Sequence, residues 1–521
     1  MNTASTSSNS SAAGRGAAIG RKAFAILILA FIVRVVWLNT PFLEPFNSIA
    51  RQSICAQVAR NFYIRDANML HPQIDVNGNG PSLYNAEMPW YTWIMSLGYR
   101  AVDGPEPWAA RSVTVIFSML FLVCLYKLAR SEFGERSAQW TLAIAAFSPL
   151  GVALSRSIQP DMTMIALLTA ALWFARRYAN GDGERWSWIS AGCLFLAAAT
   201  KVFALLALPA ALLLLTPSSG GPVWRRPKSY VYSFIALLAL AWYAYMWLEG
   251  RRTPLGYEPY TYIHGDASAG SVLMRFLSPE QAGLVFKVLT LHHLTVGGSV
   301  LLVFGLTGWA WKRLGTRAWL VVWGLGLAAY SAAFWPYLVK HGYYQLPWLP
   351  WIALVAGRGA GRIYSRALLA AAALLLLLHA VHYYPKIYFV AEEARNVERI
   401  GETADRLLPK DAIVLGSYGS SPAQVYFTNR RGWGLPLAWP EPKVIAAIEA
   451  YAVRGAGYLV TSQKELLLSR PALSAHLKAN HRKIYEGDEG IIFQLMPGSV
   501  DLRGAAAGSG LGSGLEKGGG D

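Results

Sequence analysis

The sequence predicts an all-α polytopic membrane protein that carries a small α/β domain towards its C-terminal end. Three observations lead there. Only 15% of the 521 residues are charged, where a soluble chain carries about 25%. Apolar residues make up 54% of the chain and the mean hydropathy is +0.30. Long Leu/Ala runs recur as far as Pro385, and beyond it ordinary charged density returns. An ordinary cytosolic enzyme is excluded. The net charge of +17, from 47 Lys and Arg against 30 Asp and Glu, is in such a chain first an orientation signal, and nucleic acid is not expected as a partner. Cys55, Cys124 and Cys193 are too few and too scattered for a disulfide framework or a zinc site.

Taken in order, residues 1–22 are Ser/Ala/Gly-rich and read as a disordered basic cytoplasmic tail. The apolar run 23–38 is interrupted by Arg34 and followed by no small-residue cleavage site, so it reads as an uncleaved first span. Further runs fall near 109–129, 138–155, 161–179, 186–200, 202–216, 229–248, 296–311, 318–336, 345–357 and 366–384. At roughly 20 residues per crossing this gives about 11 transmembrane helices within residues 23–385. Lys201 and Pro209 break one of the runs, and 345–357 is short and Pro-rich, which leaves the count open by one or two.

Charge placement orients the chain. With the N-terminus in the cytoplasm, the loops 127–136, 176–185, 225–228, 312–317 and 358–366 fall on one side, and all are short and basic. The other side receives the long segments 40–108 and 249–295 and everything after 385. The expected location is the bacterial inner membrane, multi-pass, with the C-terminal domain periplasmic. In that domain, residues 386–498, the runs 412–415 and 458–461 read as strands and 443–454 as a helix. Residues 487–489 read as a turn between 483–485 and 491–494. Residues 499–521 form a Gly-rich disordered tail.

A first outer loop of this length is uncommon unless it is functional. It holds Glu44, Arg51, Arg60, Asp75 and Glu87 among many aromatic and amide side chains. Carboxylates bind sugar hydroxyls or take their protons, and aromatic faces pack on sugar rings. Charges facing water and aromatics at the membrane interface are the plainer alternative. Lys201, inside an apolar run, is costly there; it pairs with a phosphate or snorkels to the interface. Asp161 follows Pro160 at a helix start, a position favourable to an acid whatever its role.

The stretch Arg51-Gln52-Ser53-Ile54 through Arg60-Asn61-Phe62-Tyr63, then His71-Pro72-Gln73-Ile74-Asp75, then Glu87-Met88-Pro89, resembles the first periplasmic loop of bacterial membrane glycosyltransferases. These belong to the dolichyl-phosphate-mannose-protein mannosyltransferase and lipid A aminoarabinose transferase superfamily. The resemblance continues through Ser155-Arg156-Ser157-Ile158-Gln159-Pro160-Asp161, Ala199-Thr200-Lys201 and His341-Gly342-Tyr343-Tyr344-Gln345-Leu346-Pro347. It implies the GT-C fold and a polyprenyl-phosphate-linked sugar donor. The acceptor would be a lipid, a glycan or a protein, with membrane lipid around the bundle and transfer at the periplasmic face. It implies Glu44 and Asp161 as catalytic residues, with Arg51, Arg60, Asp75, Glu87, Lys201, Lys340, His341 and Tyr344 binding substrate. Arg251, Arg252, His264, His292 and His293 are weaker candidates. The spacing shows no metal-ligand set and leaves a divalent cation open. One departure stands out: the resemblance implies an Asp two residues after the Arg-Gln pair, where this chain has Ile54. Either another carboxylate such as Glu44 serves, or the chain is a degenerate relative that binds lipid-linked sugar. A secondary transporter is the other alternative, though no internal repeat supports it.

Overall fold

The computed structural model describes residues 19–40, 42, 49–80, 82–84, 86–215, 225–252, 295–307, 314–390, 392–419 and 421–496. Apolar helices fill most of it: α1 (Arg21–Val35), α4 (Pro107–Phe133), α5 (Glu135–Phe147), α6 (Pro149–Ser155), α7 (Asp161–Ala179), α8 (Arg185–Thr200), α9 (Leu208–Leu214), α10 (Pro227–Leu237) and α11 (Ala239–Arg252). Helices Thr295–Leu306, Leu314–Ala333, Trp348–Arg362 and Arg366–Tyr388 follow. Two helices of the first outer loop, α2 (Ile49–Ile64) and α3 (Trp90–Ala101), sit between α1 and α4 in the chain.

The bundle interior is built from small residues that let backbones approach. Gly357 and Gly361 face Thr141 and Ser137 of α5, while Gly359 faces the Leu301 carbonyl and Gly305. A side-chain carbon at any of the three would collide with those atoms. The outward faces carry large apolar side chains, among them Leu29, Phe234, Leu377 and Val381, as a lipid-facing surface does.

By length and composition, three helices among the described residues would cross a membrane: Pro107–Phe133, Pro227–Gly250 and the run that begins at Arg366. The pair α5 and α6, bent by 61°, adds a fourth if it is one span. Several of the other apolar helices are too short. At about 1.5 Å per residue, the 16 residues of α8 reach roughly 24 Å against a hydrocarbon core of about 30 Å. The chain also breaks at Lys201, and a 3₁₀ turn (Val202–Ala207) separates α8 from α9.

After helix Glu392–Leu407 comes a five-stranded sheet in the order β2-β1-β3-β5-β4. Its strands are β1 (Ile413–Ser417), β2 (Arg431–Gly434), β3 (Tyr458–Thr461), β4 (Arg482–Gly487) and β5 (Gly490–Gln494). The central strand β1 runs parallel to β2 and β3, and the β4–β5 hairpin closes the far edge antiparallel. β1 and β3 are buried along most of their length, and the burial pattern of β5 is equally continuous, as strands covered on both faces require. The first outer loop extends this sheet. Val76 bridges Gly432 in parallel, Gly432 N–H donates to Asp75 O and Asn77 N–H to Gly432 O, each at 2.9 Å.

Candidate active site

The site begins where α8 stops. Lys201 is extended rather than helical (φ −151°, ψ 118°), and its N–H caps Ala197 O at 2.9 Å. Its ammonium forms a 2.9 Å ion pair with Asp161, the first residue of α7. The pair is buried, with the two side chains 11% and 2% exposed. Three rings surround the ammonium: Tyr343 at 5.3 Å, Tyr344 at 5.6 Å and Phe203 at 5.9 Å. The second carboxylate oxygen of Asp161 has no hydrogen-bond partner among the described residues, and neither has either amide atom of the fully buried Gln159. Buried polar atoms left open in this way are exceptions that call for a reason.

The first outer loop is fastened directly onto this point. Met88 N–H donates to Ala199 O at 3.0 Å and Trp90 Nε1 to Thr200 Oγ1 at 2.9 Å. From α11, Trp242 Nε1 donates to Ala86 O at 2.9 Å, and the Tyr243 hydroxyl to Ala198 O at 2.9 Å. Glu87 is thereby held one residue from the end of α8, and it pairs there with Arg51 of α2. Arg51 also donates to the Tyr84 hydroxyl at 2.6 Å. The neighbouring Gln52 accepts from Ile158 N–H at 3.1 Å, which ties α2 to the loop that carries Asp161. Two ion pairs, Lys201–Asp161 and Arg51–Glu87, are thus held at the end of α8.

Three buried arginines hold the residues at and after the end of α1. Arg34 donates to Ala146 O at 3.0 Å, Arg156 to Arg34 O at 2.8 Å and Trp37 O at 3.0 Å, and Arg111 to Leu38 O at 2.7 Å. They satisfy carbonyls that a helix C-terminus leaves orphaned.

The predicted residues therefore divide. Asp161 and Lys201 pair beside Tyr344, and Arg51 and Glu87 pair in the segment hydrogen-bonded to the end of α8. Arg60 and Asp75 form a separate buried pair at 2.6 Å, with Arg65 on the same carboxylate at 2.9 Å and Arg60 donating to Tyr426 O at 3.0 Å. His341 is the extended residue after helix Trp335–Lys340, its ring 5.4 Å from Tyr343. Lys340 ends that helix, and its side chain is outside the described residues, as are the side chains of Arg251 and Arg252 at the end of α11. Glu44, His264, His292 and His293 also lie outside the described residues. The structure adds Tyr84, Tyr343 and Gln159. All three stood within recognisable motifs, but only their geometry singles them out. Ile54 packs in an apolar cluster with Val58, Phe62, Ile74, Val76 and Tyr84.

In the C-terminal domain, Glu449, His476 and His481 bring ligand-type atoms within 4.8 Å of one another. Met496 N–H donates to His481 Nδ1 at 3.2 Å, so the proton of the neutral ring sits on Nε2, 3.1 Å from Glu449. Of the two rings, His476 hydrogen-bonds Glu449 at 2.7 Å, while His481 Nε2 lies at ion-pair distance without hydrogen-bond geometry. Burial, offset in part by Glu449, pushes the His481 imidazole below its ordinary value.

Residues 86–247 match the family model of dolichyl-phosphate-mannose-protein mannosyltransferase. No curated protein matches the chain. Among solved structures, ArnT from Cupriavidus metallidurans in the apo state has a TM-score of 0.62 at 14% identity, over 91% of this chain and 98% of that one. The same protein bound to undecaprenyl phosphate gives 0.59 at 15% identity, over 90% and 97%. The oligosaccharyltransferase AglB from Archaeoglobus fulgidus, in complex with an inhibitory peptide and a dolichol-phosphate, gives 0.52 at 12%, over 93% and 75%. The chain therefore resembles GT-C membrane glycosyltransferases, by sequence across its middle and by fold across nine-tenths of its length.

Proposed function

We propose that the protein transfers a sugar from a polyprenyl-phosphate carrier to a lipid, glycan or protein acceptor at the periplasmic face of a bacterial inner membrane. The bundle would cross the membrane about eleven times from a cytoplasmic N-terminus, with residues 386–498 as the periplasmic domain. The observation that carries the reading is the buried Lys201–Asp161 pair joined to Arg51–Glu87. A cation held by a carboxylate in apolar surroundings is poised for a phosphate, and Arg51 supplies a second, planar set of donors.

In this reading Lys201 and Arg51 hold the donor phosphate and stabilise its charge as the bond to the anomeric carbon breaks. Tyr343 and Tyr344 offer faces to the sugar ring. Gln159 and the open oxygen of Asp161 bind hydroxyls. Glu44 takes the proton of the attacking acceptor hydroxyl, and the configuration at the anomeric carbon inverts. An apolar groove lined by Leu70, Met88, Phe195, Ala199, Trp242 and Tyr245 begins beside the Lys201 end of α8 and suits the first prenyl units. Burial there contributes about 0.8 kcal/mol per CH₂.

The test is incubation of the purified protein with labelled undecaprenyl-phosphate sugars and a panel of acceptors. Transfer that falls by about 10²–10⁴-fold in Glu44→Gln, with donor binding intact, is the expected result. Binding without transfer by the wild type would favour the degenerate reading that Ile54 raises. Uptake by proteoliposomes alone would favour a transporter.

A further inference from the structure

A second cationic site lies where the first outer loop meets the C-terminal domain. The end of α2, the turn after Asp75 and the strands β1 and β2 enclose a cleft of about 170 Å³. That is room for several water molecules, and hence for a phosphoryl group. Its walls share no residue with the Lys201 cluster.

Five cationic side chains line it, Arg60, Arg65, Lys410, Arg430 and Arg431, against two acidic ones, Asp75 and Asp411. Asp75 is already matched by Arg60 and Arg65. Arg430 is fully buried and fully engaged: it pairs with Asp405 and donates to Pro409 O at 2.6 Å and Leu408 O at 2.7 Å. Lys410 shares that same Asp405 at 2.9 Å, yet its side chain is 76% exposed and free to swing. Arg431 reaches only the carbonyl of Gly80, at 2.8 Å, and has no carboxylate partner among the described residues. The Nε atoms of Arg431 and Arg60 are both buried without a hydrogen-bond partner. Burial, and after it the neighbouring Arg65, pushes the Arg431 guanidinium below its ordinary value, with Asp75 opposing.

We propose that this cleft is a second anion site that takes a phosphate monoester, bound by Arg431 and Lys410. Several acceptor oxygens and a charge near −2 match donors that no protein group satisfies, and guanidinium planes suit phosphate better than they suit a lone carboxylate. Because the loop that carries Glu87 forms one wall with the sheet, the site would seat a phosphate borne by the acceptor. That last clause rests on the transferase reading; the anion site itself does not.

The experiment uses the full chain in phosphatidylcholine nanodiscs, titrated calorimetrically with glucose 1-phosphate. A second arm places phosphatidic acid in the disc and reads the unfolding temperature, which separates a sugar phosphate from a lipid headgroup. Binding of either probe should weaken about tenfold or more in Arg431→Gln and in Lys410→Gln, the loss of a charge-assisted contact. Lys410 is exposed, so its variant keeps the fold. The titrations are repeated on a Lys201→Ala background, where uptake of the sugar phosphate by the donor site is removed and the cleft's share of the binding should remain. Silence from both probes would overturn the proposal. So would binding that survives both cleft substitutions on the Lys201→Ala background, or that disappears with Lys201.

Discussion

Lys201 and Asp161 can be tested as a pair and as a phosphate site in one cycle. Each single substitution, Lys201→Met or Asp161→Asn, leaves its partner charged in surroundings where the two side chains are 11% and 2% exposed. Breaking a buried ion pair costs about 3–5 kcal/mol, because the remaining charge is uncompensated. Removing both charges costs far less, so the double variant should recover most of the lost stability, a coupling well outside additivity. Transfer should behave differently. Without the ammonium, the donor phosphate loses a contact of about 1.5–3 kcal/mol, which is roughly a 10–150-fold fall in kcat/KM. Lys201→Met and the double variant should therefore be equally poor enzymes although only one is unstable. Apparent unfolding temperatures in detergent and transfer from labelled undecaprenyl-phosphate sugar are the two readouts. A double variant that transfers like the wild type would reduce the pair to a structural brace and remove the main support for the proposed site.

Arg51→Lys should lower kcat/KM by about tenfold or more, since a single ammonium cannot span Glu87 and the Tyr84 hydroxyl together; Tyr84→Phe should cost only about 0.5–1.5 kcal/mol of stability. Ile54→Asp would place a carboxylate among Val58, Ile74 and Val76, with an expected loss of about 1–3 kcal/mol and no gain in transfer; a gain would identify a degenerate enzyme restored by its missing acid. The C-terminal domain should lose stability in acid. His481 is held below its ordinary value by burial, with Glu449 opposing, so its contribution is fully present above the unfolded pKa of about 6.5 and is lost as pH falls through the folded value. Unfolding temperatures between pH 7.5 and pH 5 should drop more steeply for the wild type than for His481→Gln, and parallel curves would assign the acid sensitivity elsewhere.

The membrane character and the C-terminal sheet were legible in the sequence because both rest on local signals: runs of apolar residues, and short strand-like stretches between polar turns. Lys201 and Asp161 were legible singly, one as a charge in an apolar run and the other as an acid after a proline. Their pairing was not, because forty residues and a helix reversal separate them. Arg60 and Asp75 show the reverse case. Sequence spacing could not reveal that Asp75 would meet two arginines, nor that its backbone would extend the sheet at Gly432. Helix count was the least secure quantity, because short helices such as α8 and the break at Lys201 make apolar length a poor ruler. Gln159 carried no signal of its own. Only burial without partners distinguishes it.

The chain places three buried arginines around the residues that follow α1. A helix end can be closed cheaply with a glycine or with water. Here it is closed with Arg34, Arg111 and Arg156, each no more than 1% exposed, and burying a guanidinium is costly unless its donors are used. Their terminal nitrogens are used on the carbonyls of Leu38, Arg34, Trp37 and Ala146, while the Nε atoms of Arg34 and Arg156 stay buried without a hydrogen-bond partner among the described residues, and α1, α4 and the loop before α7 are fixed to one another within a few residues of Asp161. Ile54 is held by apolar packing on α2. Three residues beyond Arg51 on α2, it lies on nearly the same helix face, and it packs against Tyr84, whose hydroxyl steadies the guanidinium. A carboxylate at 54 would have to displace that apolar packing, so the side chain serves the seating of α2 against the segment that carries Tyr84, and through the Tyr84 hydroxyl the placement of Arg51.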